Sequence, residues 1–205
     1  MSVNLSIEQS LWAQGYEHIA GVDEAGRGPL AGPVVAAAVI FPKDAFIEDV
    51  DDSKKLSAKK REEVYSLIVS KAISISIGIV DHIEIDRINI LQATIQAMQK
   101  ALEGLCISPH FAIIDGNYFL YDKLPYKTIV DGDAKSFTIA AASIVAKVTR
   151  DRLMFELDER YPQYGFARHK GYGTKRHIEA LHKFGPCEIH LKSFHLPSLK
   201  IESKI

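Results

Sequence analysis

The sequence has little that would set it apart from an ordinary single-domain protein. Its two cysteines, Cys106 and Cys187, are too few for a disulfide framework and form no CxxC pair, so we expect reduced thiols without a functional role. No apolar run approaches the roughly 18 residues that a membrane span needs, and the first 17 residues lack the basic start of a secretory signal. No repeat, low-complexity tract or Pro/Ser-rich linker divides the 205 residues, which predicts one cytoplasmic domain.

Net charge is also low, at −1, which by itself argues against strong binding to nucleic acid. The charge is unevenly distributed, however. Between residues 165 and 204 there are eight Lys and Arg against three acids, and five of the eight histidines lie there. Such a basic tail favours contact with a polyanion, although a solvated lysine-rich surface explains the charge equally well.

Hydrophobic periodicity predicts five strands and three long helices, with shorter helices in the basic tail. The predicted strands are 19–23, 33–41, 72–80, 111–114 and 127–130, and the predicted helices are 58–69, 86–105 and 136–161. In 72–80 isoleucines alternate with serines and a glycine, which is the period of a half-exposed strand. Three successive strands followed by strands that alternate with helices indicate an α/β fold, with a mixed sheet and helices on both faces.

Acidic residues supply the strongest functional signal. Asp23, Asp115 and Asp133 each lie at or just past the carboxyl end of a predicted strand, and Glu24 adjoins Asp23. Because such ends gather at one crevice of an open α/β sheet, we expect the four carboxylates to converge on a hard cation such as Mg²⁺ or Mn²⁺. Successive strand residues face opposite sides, so Glu24 can join only if its strand has ended and the backbone turns toward the glycine loop 26–28.

Each of these motifs also has a less specific interpretation. The pair Asp115-Gly116 alone is most often only a turn. The glycines at 26, 28 and 32 miss the dinucleotide fingerprint, and no P-loop lysine follows them. A zinc site built from the tail is rejected because the spacing of its candidate ligands matches no standard pattern. Those candidates are His182, Cys187, His190 and His195.

Five blocks of the sequence, in order, resemble bacterial ribonuclease HII. They are GVDEAGRGP (21–29), DSKKL (52–56), DGN (115–117), AAASIVAKVTRD (140–151) and KGYGT (170–174). The resemblance covers nearly the whole chain, and the first and fourth blocks are long and specific. Ribonuclease HIII is similar but has an extra N-terminal domain, for which the roughly 17 residues before the first strand leave no room.

The resemblance implies an RNase H-like five-stranded mixed sheet, with a catalytic core of about residues 18–162 and a basic helical extension of about residues 163–205. It also implies cleavage of RNA strands paired with DNA, and incision of duplex DNA 5′ to an embedded ribonucleotide. The products would carry 3′-hydroxyl and 5′-phosphate ends. The expected partners are therefore RNA–DNA hybrids and ribonucleotide-containing DNA duplexes, with no membrane and a monomeric protein.

Particular roles follow from the same resemblance. Two Mg²⁺ or Mn²⁺ ions in the substrate complex would be held by the catalytic carboxylates, which are Asp23, Glu24, Asp115 and Asp133. The loop Gly26, Arg27 and Gly28 resembles the one that reads the ribose 2′-hydroxyl, and Tyr172 matches a tyrosine that packs on the sugar beyond the RNA-to-DNA junction. Ser53 and Lys54 would contact phosphates.

The chain departs from the family pattern at two places. Asp131 stands where the family usually has a lysine, two residues before Asp133, so Asp131 is a rival ligand. Leu191-Lys192 follows His190 where a His-Arg pair is usual, which weakens a phosphate role there unless Lys192 substitutes. Two other functions remain open. A binding module without catalysis would bind hybrids without metal-dependent cutting, and a DNA nuclease would cut all-DNA duplex equally well.

Overall fold

A five-stranded mixed sheet forms the centre of the computed structural model, which describes residues 3–50, 53 and 56–194. Its strands are β1 (Ile19–Ala25), β2 (Val34–Ile40), β3 (Ser74–Val80), β4 (Phe111–Asp115) and β5 (Tyr126–Ile129). They lie in the order β3-β2-β1-β4-β5. The first three pair antiparallel, whereas β4 and β5 are added in parallel beside β1. The predicted mixed sheet is therefore confirmed.

Helices cover both faces of this sheet, as predicted. They are α1 (Ser6–Ala13), α2 (Ala58–Lys71), α3 (His82–Ile88), α4 (Ile90–Glu103), α5 (Phe137–Arg160), α6 (Phe166–His169) and α7 (Lys175–Phe184). A 3₁₀ turn, Gly132–Ala134, precedes α5. One face of the sheet packs against α4, and the other packs against α2 and α5. Within the described ranges, no helix has both the length and the apolar character needed to cross a membrane.

The position of β2 inside the sheet explains why its sequence is an unbroken apolar run. Alternate residues face opposite sides of a strand. Ala36 and Ala38 belong to the core on the α4 side, whereas Ala37 and Val39 belong to the core on the α2 and α5 side. Since both faces of the strand are buried, neither can carry polar residues.

The amino-terminal end of α5 lies directly against β1. A Cβ atom at Gly21 would collide with the backbone of Thr138, so only glycine permits this approach. Buried Glu8, on α1, accepts hydrogen bonds from the Thr138 N–H at 2.9 Å and from the Ser136 hydroxyl at 2.7 Å. Ser136 in turn caps α5 by accepting from the N–H of Ile139 at 3.1 Å. These contacts fix the start of α5 on the strand that carries Asp23.

Two helical features differ from the sequence expectations. α1 is not among the predicted elements. The helix predicted over 86–105 begins earlier and is divided in two, because Asn89 adopts a left-handed φ of 68°. The Asn89 side chain then caps α4 by accepting from the N–H groups of Leu91 and Gln92 at 3.0 and 3.1 Å.

The two faces of β3 are used unequally. α4 packs on the face of small residues, where a Cβ atom at Gly78 would collide with the Ala97 carbonyl. The isoleucine face is only partly covered, and Ile79 remains 41% exposed. The predicted half-exposed strand is confirmed, but its more buried face is the one with the smaller side chains, because helix α4 needs that space.

Candidate active site

Three carboxylates meet at the carboxyl ends of two neighbouring strands. β1 carries Asp23 and Glu24 near its end, and β4 ends at Asp115. The two strands are parallel, and their last paired residues are Val22 and Ile114, so the aspartates that follow lie side by side. One carboxylate oxygen from each of the three acids lies within 4.8 Å of the others. The predicted convergence is therefore confirmed for these three side chains.

Glu24 joins this group even though β1 has not ended there. The strand continues to Ala25, which pairs with Val35 of β2, so the expectation that the strand stops before Glu24 is wrong. On the opposite edge of β1, the pairing with β4 stops at Val22, which leaves room beside the two acids. The N–H of Glu24 also donates to the Asp23 Oδ1 at 2.6 Å. The incomplete edge, and not a turn, allows adjacent residues to share one site.

Burial and repulsion dominate the electrostatics of the three acids. Burial, reinforced by the charges of Glu24 and Asp115, raises the pKa of Asp23 well above its usual value. Burial also raises the pKa of Glu24, and the Arg27 guanidinium, 3.3 Å away, opposes that rise. Like charges this close favour uptake of a proton or a cation, and an all-oxygen set of ligands favours a hard divalent ion. The donor atoms therefore fit a divalent metal.

Asp133, the fourth predicted carboxylate, lies beside this group and is not one of its members. Among the residues that the structure describes, only the three acids above meet the geometry of a metal-ligand cluster. Asp133 is buried in the 3₁₀ turn that precedes α5, and Asp131 is exposed with a φ of 54°. The turn adjoins the site because the N–H of Gly132 donates to the Asp115 Oδ1 at 2.7 Å. The choice between Asp133 and Asp131 as a fourth ligand stays a prediction.

Two buried serine hydroxyls extend from Asp23 into the protein. The Ser143 hydroxyl on α5 donates to the Asp23 carboxylate and so opposes the rise of its pKa. The Oγ atoms of Ser143 and Ser53 are 2.8 Å apart. Either hydroxyl can donate in this contact. Ser53 thus lies two hydrogen bonds from a carboxylate of the triad.

The triad opens into a cleft of about 220 Å³. Besides the three acids, the cleft is lined by Ala25, Gly26, Arg27, Gly28, Ser53, Ser143, Lys147 and Tyr172. It therefore gathers Ser53, Tyr172 and the glycine loop, whereas the described basic side chains of the tail do not line it and Lys54 lies outside the described residues. Ser143 and Lys147 receive no role from the sequence. Their separation of one helical turn, on a helix predicted to lie close to the sheet, is the signal that could have indicated them.

A buried arginine holds together the loops that form the rim of the cleft. Arg150, on α5, is 1% exposed, and its three guanidinium nitrogens donate to the carbonyls of Pro33, Lys170 and Ala31 at 2.9, 3.0 and 3.2 Å. Burial lowers its pKa to about 10, so the side chain stays charged at neutral pH. Arg150 therefore joins the segment after the glycine loop to the segment before Tyr172. Charge alone would have placed this residue on the surface.

The segment that departs from the family pattern is fastened through its backbone. The N–H groups of Lys192 and Ser193 donate to the Asp86 carboxylate of α3 at 3.0 and 2.9 Å, and the Ser193 hydroxyl donates to it at 2.7 Å. Burial alone would raise the pKa of Asp86, but these hydrogen bonds outweigh it and lower the pKa. Because the contacts are made largely by the main chain, they do not depend on whether an arginine or a lysine occupies position 192.

Known proteins resemble this chain in both sequence and fold. The family model described as Ribonuclease HII matches residues 20–201. The ribonuclease HII of Geobacter metallireducens is 55% identical over 194 residues, covering 91% of this chain and 91% of that protein. The ribonuclease HII of Acholeplasma laidlawii is 55% identical over 191 residues, covering 93% and 94%. The solved ribonuclease H2 of Pyrococcus horikoshii matches with a TM-score of 0.73 at 28% identity, covering 87% of this chain and 94% of that one.

Proposed function

The chain belongs to the ribonuclease HII family and is an endoribonuclease, and from this membership we propose its substrates. The enzyme hydrolyses the RNA strand of RNA–DNA hybrids and incises duplex DNA 5′ to embedded ribonucleotides, leaving 3′-hydroxyl and 5′-phosphate ends. The observation that carries the proposal is the carboxylate triad, with its oxygens within 4.8 Å of one another beside an open cleft. The family also leads us to place it in the cytoplasm as a monomer.

The catalytic carboxylates are Asp23, Glu24, Asp115 and Asp133. When bound by them, two divalent cations, Mg²⁺ or Mn²⁺, would supply an activated water and stabilise the leaving 3′-oxygen. The raised pKa of Asp23 supports this assignment, because a site built to hold cations repels itself when they are absent. The Ser143 hydroxyl favours the ionised form of Asp23 and orients its carboxylate. The chemistry requires no covalent nucleophile from the protein.

Recognition of the ribose is assigned to the glycine loop and Tyr172. Gly26 has a φ of 113°, a conformation that favours glycine and turns the backbone into the cleft. A Cβ atom at Gly28 would lie 3.5 Å from the Tyr172 ring, so the loop and the ring face each other closely. Backbone contact with the 2′-hydroxyl and packing of the tyrosine on the next sugar can therefore take place side by side.

Ser53 and a set of basic residues are assigned to the phosphates of the duplex. Ser53, Lys54 and the extension over residues 163–205 hold the nucleic acid without reading its bases. Lys147 supports this division, because it lines the cleft from α5 and its Nζ is 2.7 Å from the Asp151 carboxylate. This half-buried lysine places a positive charge on the wall of the cleft next to the metal ligands, and Asp151 neutralises part of that charge.

A DNA duplex with one ribonucleotide tests the proposal most directly. Incubation with Mg²⁺ or Mn²⁺ should cut 5′ to the ribonucleotide, whereas chelator should prevent cutting. All-DNA duplex is the control for substrate choice, and Asp23→Asn is the control for the site. Equal cutting of the all-DNA duplex would establish the rival DNA nuclease, and binding without any metal-dependent cut would establish the rival binding module.

Tyr172→Ala tests the recognition half of the proposal. It should reduce incision at the RNA-to-DNA junction more than it reduces stability, because the ring is 45% exposed. Phe184→Ala is the matched control, since Phe184 is 48% exposed and does not line the cleft. Equal loss in both variants, measured as incision rate beside the thermal unfolding midpoint, would contradict a recognition role for Tyr172.

A further inference from the structure

Three histidines are buried beneath the loop that carries Tyr172. His169, His177 and His190 are 9%, 0% and 1% exposed. The rings of His169 and His177 are stacked, with centroids 4.5 Å apart and planes 16° apart. The Nε2 atoms of His177 and His190 are 3.0 Å apart. The carboxylate chemistry proposed above makes no use of these side chains.

The hydrogen bonds of two of these histidines run in one direction. His177 Nδ1 is 2.9 Å from the Tyr172 carbonyl oxygen, which can only accept, so the proton of His177 is on Nδ1. In a neutral ring Nε2 is then an acceptor, and His190 must donate to it from its own Nε2. The remaining nitrogen of His190, Nδ1, accepts from the N–H of Cys187 at 2.9 Å. The chain of donors thus runs from Cys187 through both rings to Tyr172.

Both rings of this chain are neutral at physiological pH. Burial lowers the pKa of His177, and burial together with the neighbouring histidine lowers the pKa of His190 to about 4. A proton added to His177 would leave two N–H groups facing each other at 3.0 Å, and a proton added to His190 would set its Nδ1–H against the N–H of Cys187 at 2.9 Å. The fixed direction of the hydrogen bonds is therefore the stable arrangement.

The third histidine secures the same loop at a second point. His169 Nδ1 accepts from the N–H of Gly171 at 3.2 Å, and its Nε2 donates to the Tyr164 carbonyl at 2.9 Å. The Gly171 carbonyl accepts from the N–H of Leu30 at 2.8 Å. The backbone on both sides of Tyr172 is thus held from below, whereas its ring projects into the cleft.

We propose that His177 is a positioning residue for Tyr172, and that His190 sets the tautomer that His177 needs for this task. The proposal rests on the proposed role of Tyr172 at the sugar beyond the junction. Because that ring is 45% exposed, its place is set by the backbone that carries it more than by surrounding side chains. The Tyr172 carbonyl also accepts from the N–H of Thr174 at 2.7 Å, but that bond lies within the loop itself. Loss of the His177 donor should therefore release the loop from the protein beneath it and shift the ring relative to the glycine loop.

Two variants of His177 separate its two hydrogen bonds. The amide nitrogen of asparagine lies near the position of a histidine Nδ1 and can donate as it does, whereas the amide oxygen of glutamine can lie near Nε2 and accept as it does. His177→Asn therefore keeps a donor for Tyr172 and loses the link to His190, whereas His177→Gln does the reverse. A single hydrogen bond contributes about 1 kcal/mol, which corresponds to roughly fivefold. We expect a fivefold to tenfold fall in kcat/KM on the junction substrate for Gln and less than twofold for Asn.

A double-mutant cycle with Tyr172→Ala makes the test specific. If His177 acts through Tyr172, His177→Gln should cause no further loss in the Tyr172→Ala background. Equal losses in the Asn and Gln variants, or additive losses in the double variant, would overturn the positioning role. If Tyr172→Ala itself incises the junction normally, the role of Tyr172 in the proposed function is wrong instead.

Nitrogen-15 NMR of the imidazole rings gives a readout that is independent of activity and of folding of the variants. In the wild-type protein at neutral pH, His177 should carry its proton on Nδ1 and His190 on Nε2. Either ring in the opposite tautomer, or a charged ring, would overturn the proposal directly.

Discussion

Replacement of Asp23 by asparagine should stabilise the metal-free enzyme while abolishing its catalysis. Asp23 is 5% exposed, and its carboxylate lies within 4.8 Å of those of Glu24 and Asp115. Asparagine has nearly the same shape. Its carbonyl oxygen can still accept from the Ser143 hydroxyl and the Glu24 N–H, and its amide can donate to a neighbouring carboxylate. The substitution therefore removes charge repulsion and keeps the packing.

The size of the expected stabilisation follows from the distance between the carboxylates. Two unit charges 4.8 Å apart repel by about 3.5 kcal/mol at an effective dielectric constant of about 20. Because the pKa of Asp23 is raised, the folded site takes up a proton more readily than an ordinary aspartate, which relieves part of this repulsion. We therefore expect a gain of about 1 to 3 kcal/mol at about pH 8, or about 3 to 10 °C in the unfolding midpoint for a chain of this size.

Thermal unfolding in chelator and in Mg²⁺ or Mn²⁺ provides the assay. The wild-type midpoint should rise on addition of metal, because the cation binds the folded site and not the unfolded chain. The Asp23→Asn midpoint should start higher and rise little, and the variant should not cleave substrate. Asp44→Asn, which changes an exposed charge away from the triad, is the control. A lower midpoint than wild type in chelator, or an undiminished rise with metal, would refute the electrostatic reasoning.

Three further predictions concern other parts of the molecule. Gly21→Ala should destabilise the fold by about 3 kcal/mol in urea unfolding, because its Cβ atom would collide with the Thr138 backbone; a neutral effect would show that α5 need not lie so close. Asp133→Asn should abolish cleavage and Asp131→Asn should not, and the reverse result would make Asp131 the fourth ligand. The folded-state pKa of His190 is about 4, so between about pH 6.5 and 4 the unfolded chain binds the extra proton and stability falls as pH falls. Relative to His190→Gln, the wild type should lose about 1 to 2 kcal/mol between about pH 7 and 5, and parallel pH profiles would contradict this.

The sequence predicts the strands well because each is a short apolar run or alternation, or a segment rich in β-branched residues, that ends at a polar residue or a proline. It also predicts α5, because Ser136 and Pro162 mark the two ends of that helix. The break at Asn89 has no comparable signal. Ile88 and Ile90 continue the apolar pattern across Asn89. Periodicity therefore cannot show that the helix is interrupted there. Asparagine is a favoured N-cap residue, but that preference alone does not distinguish a cap at Asn89 from a continuous helix.

The candidate site also has parts that the sequence predicts and parts that it does not. The meeting of Asp23 and Asp115 is predictable because it needs only two parallel strands and the rule that their ends gather. The place of Glu24 depends on where β4 stops relative to β1, which is a matter of sheet register. Ser143 and Arg150 contact partners more than 80 residues away, such as Ser53 and Pro33, and no spacing in the sequence encodes those contacts.

The block 140–151 contains no residue of the triad, yet it is among the most specific of the chain, and the structure gives a physical reason. Ser143, Lys147 and Arg150 follow one another at intervals of four and three, so they share one face of α5. The first donates to Asp23, the second lines the cleft, and the third holds both rim loops. Gly21 allows the start of the same helix to lie directly against β1. The blocks 21–29 and 140–151 are therefore two sides of a single contact, and a change in either one should disturb metal binding through the other.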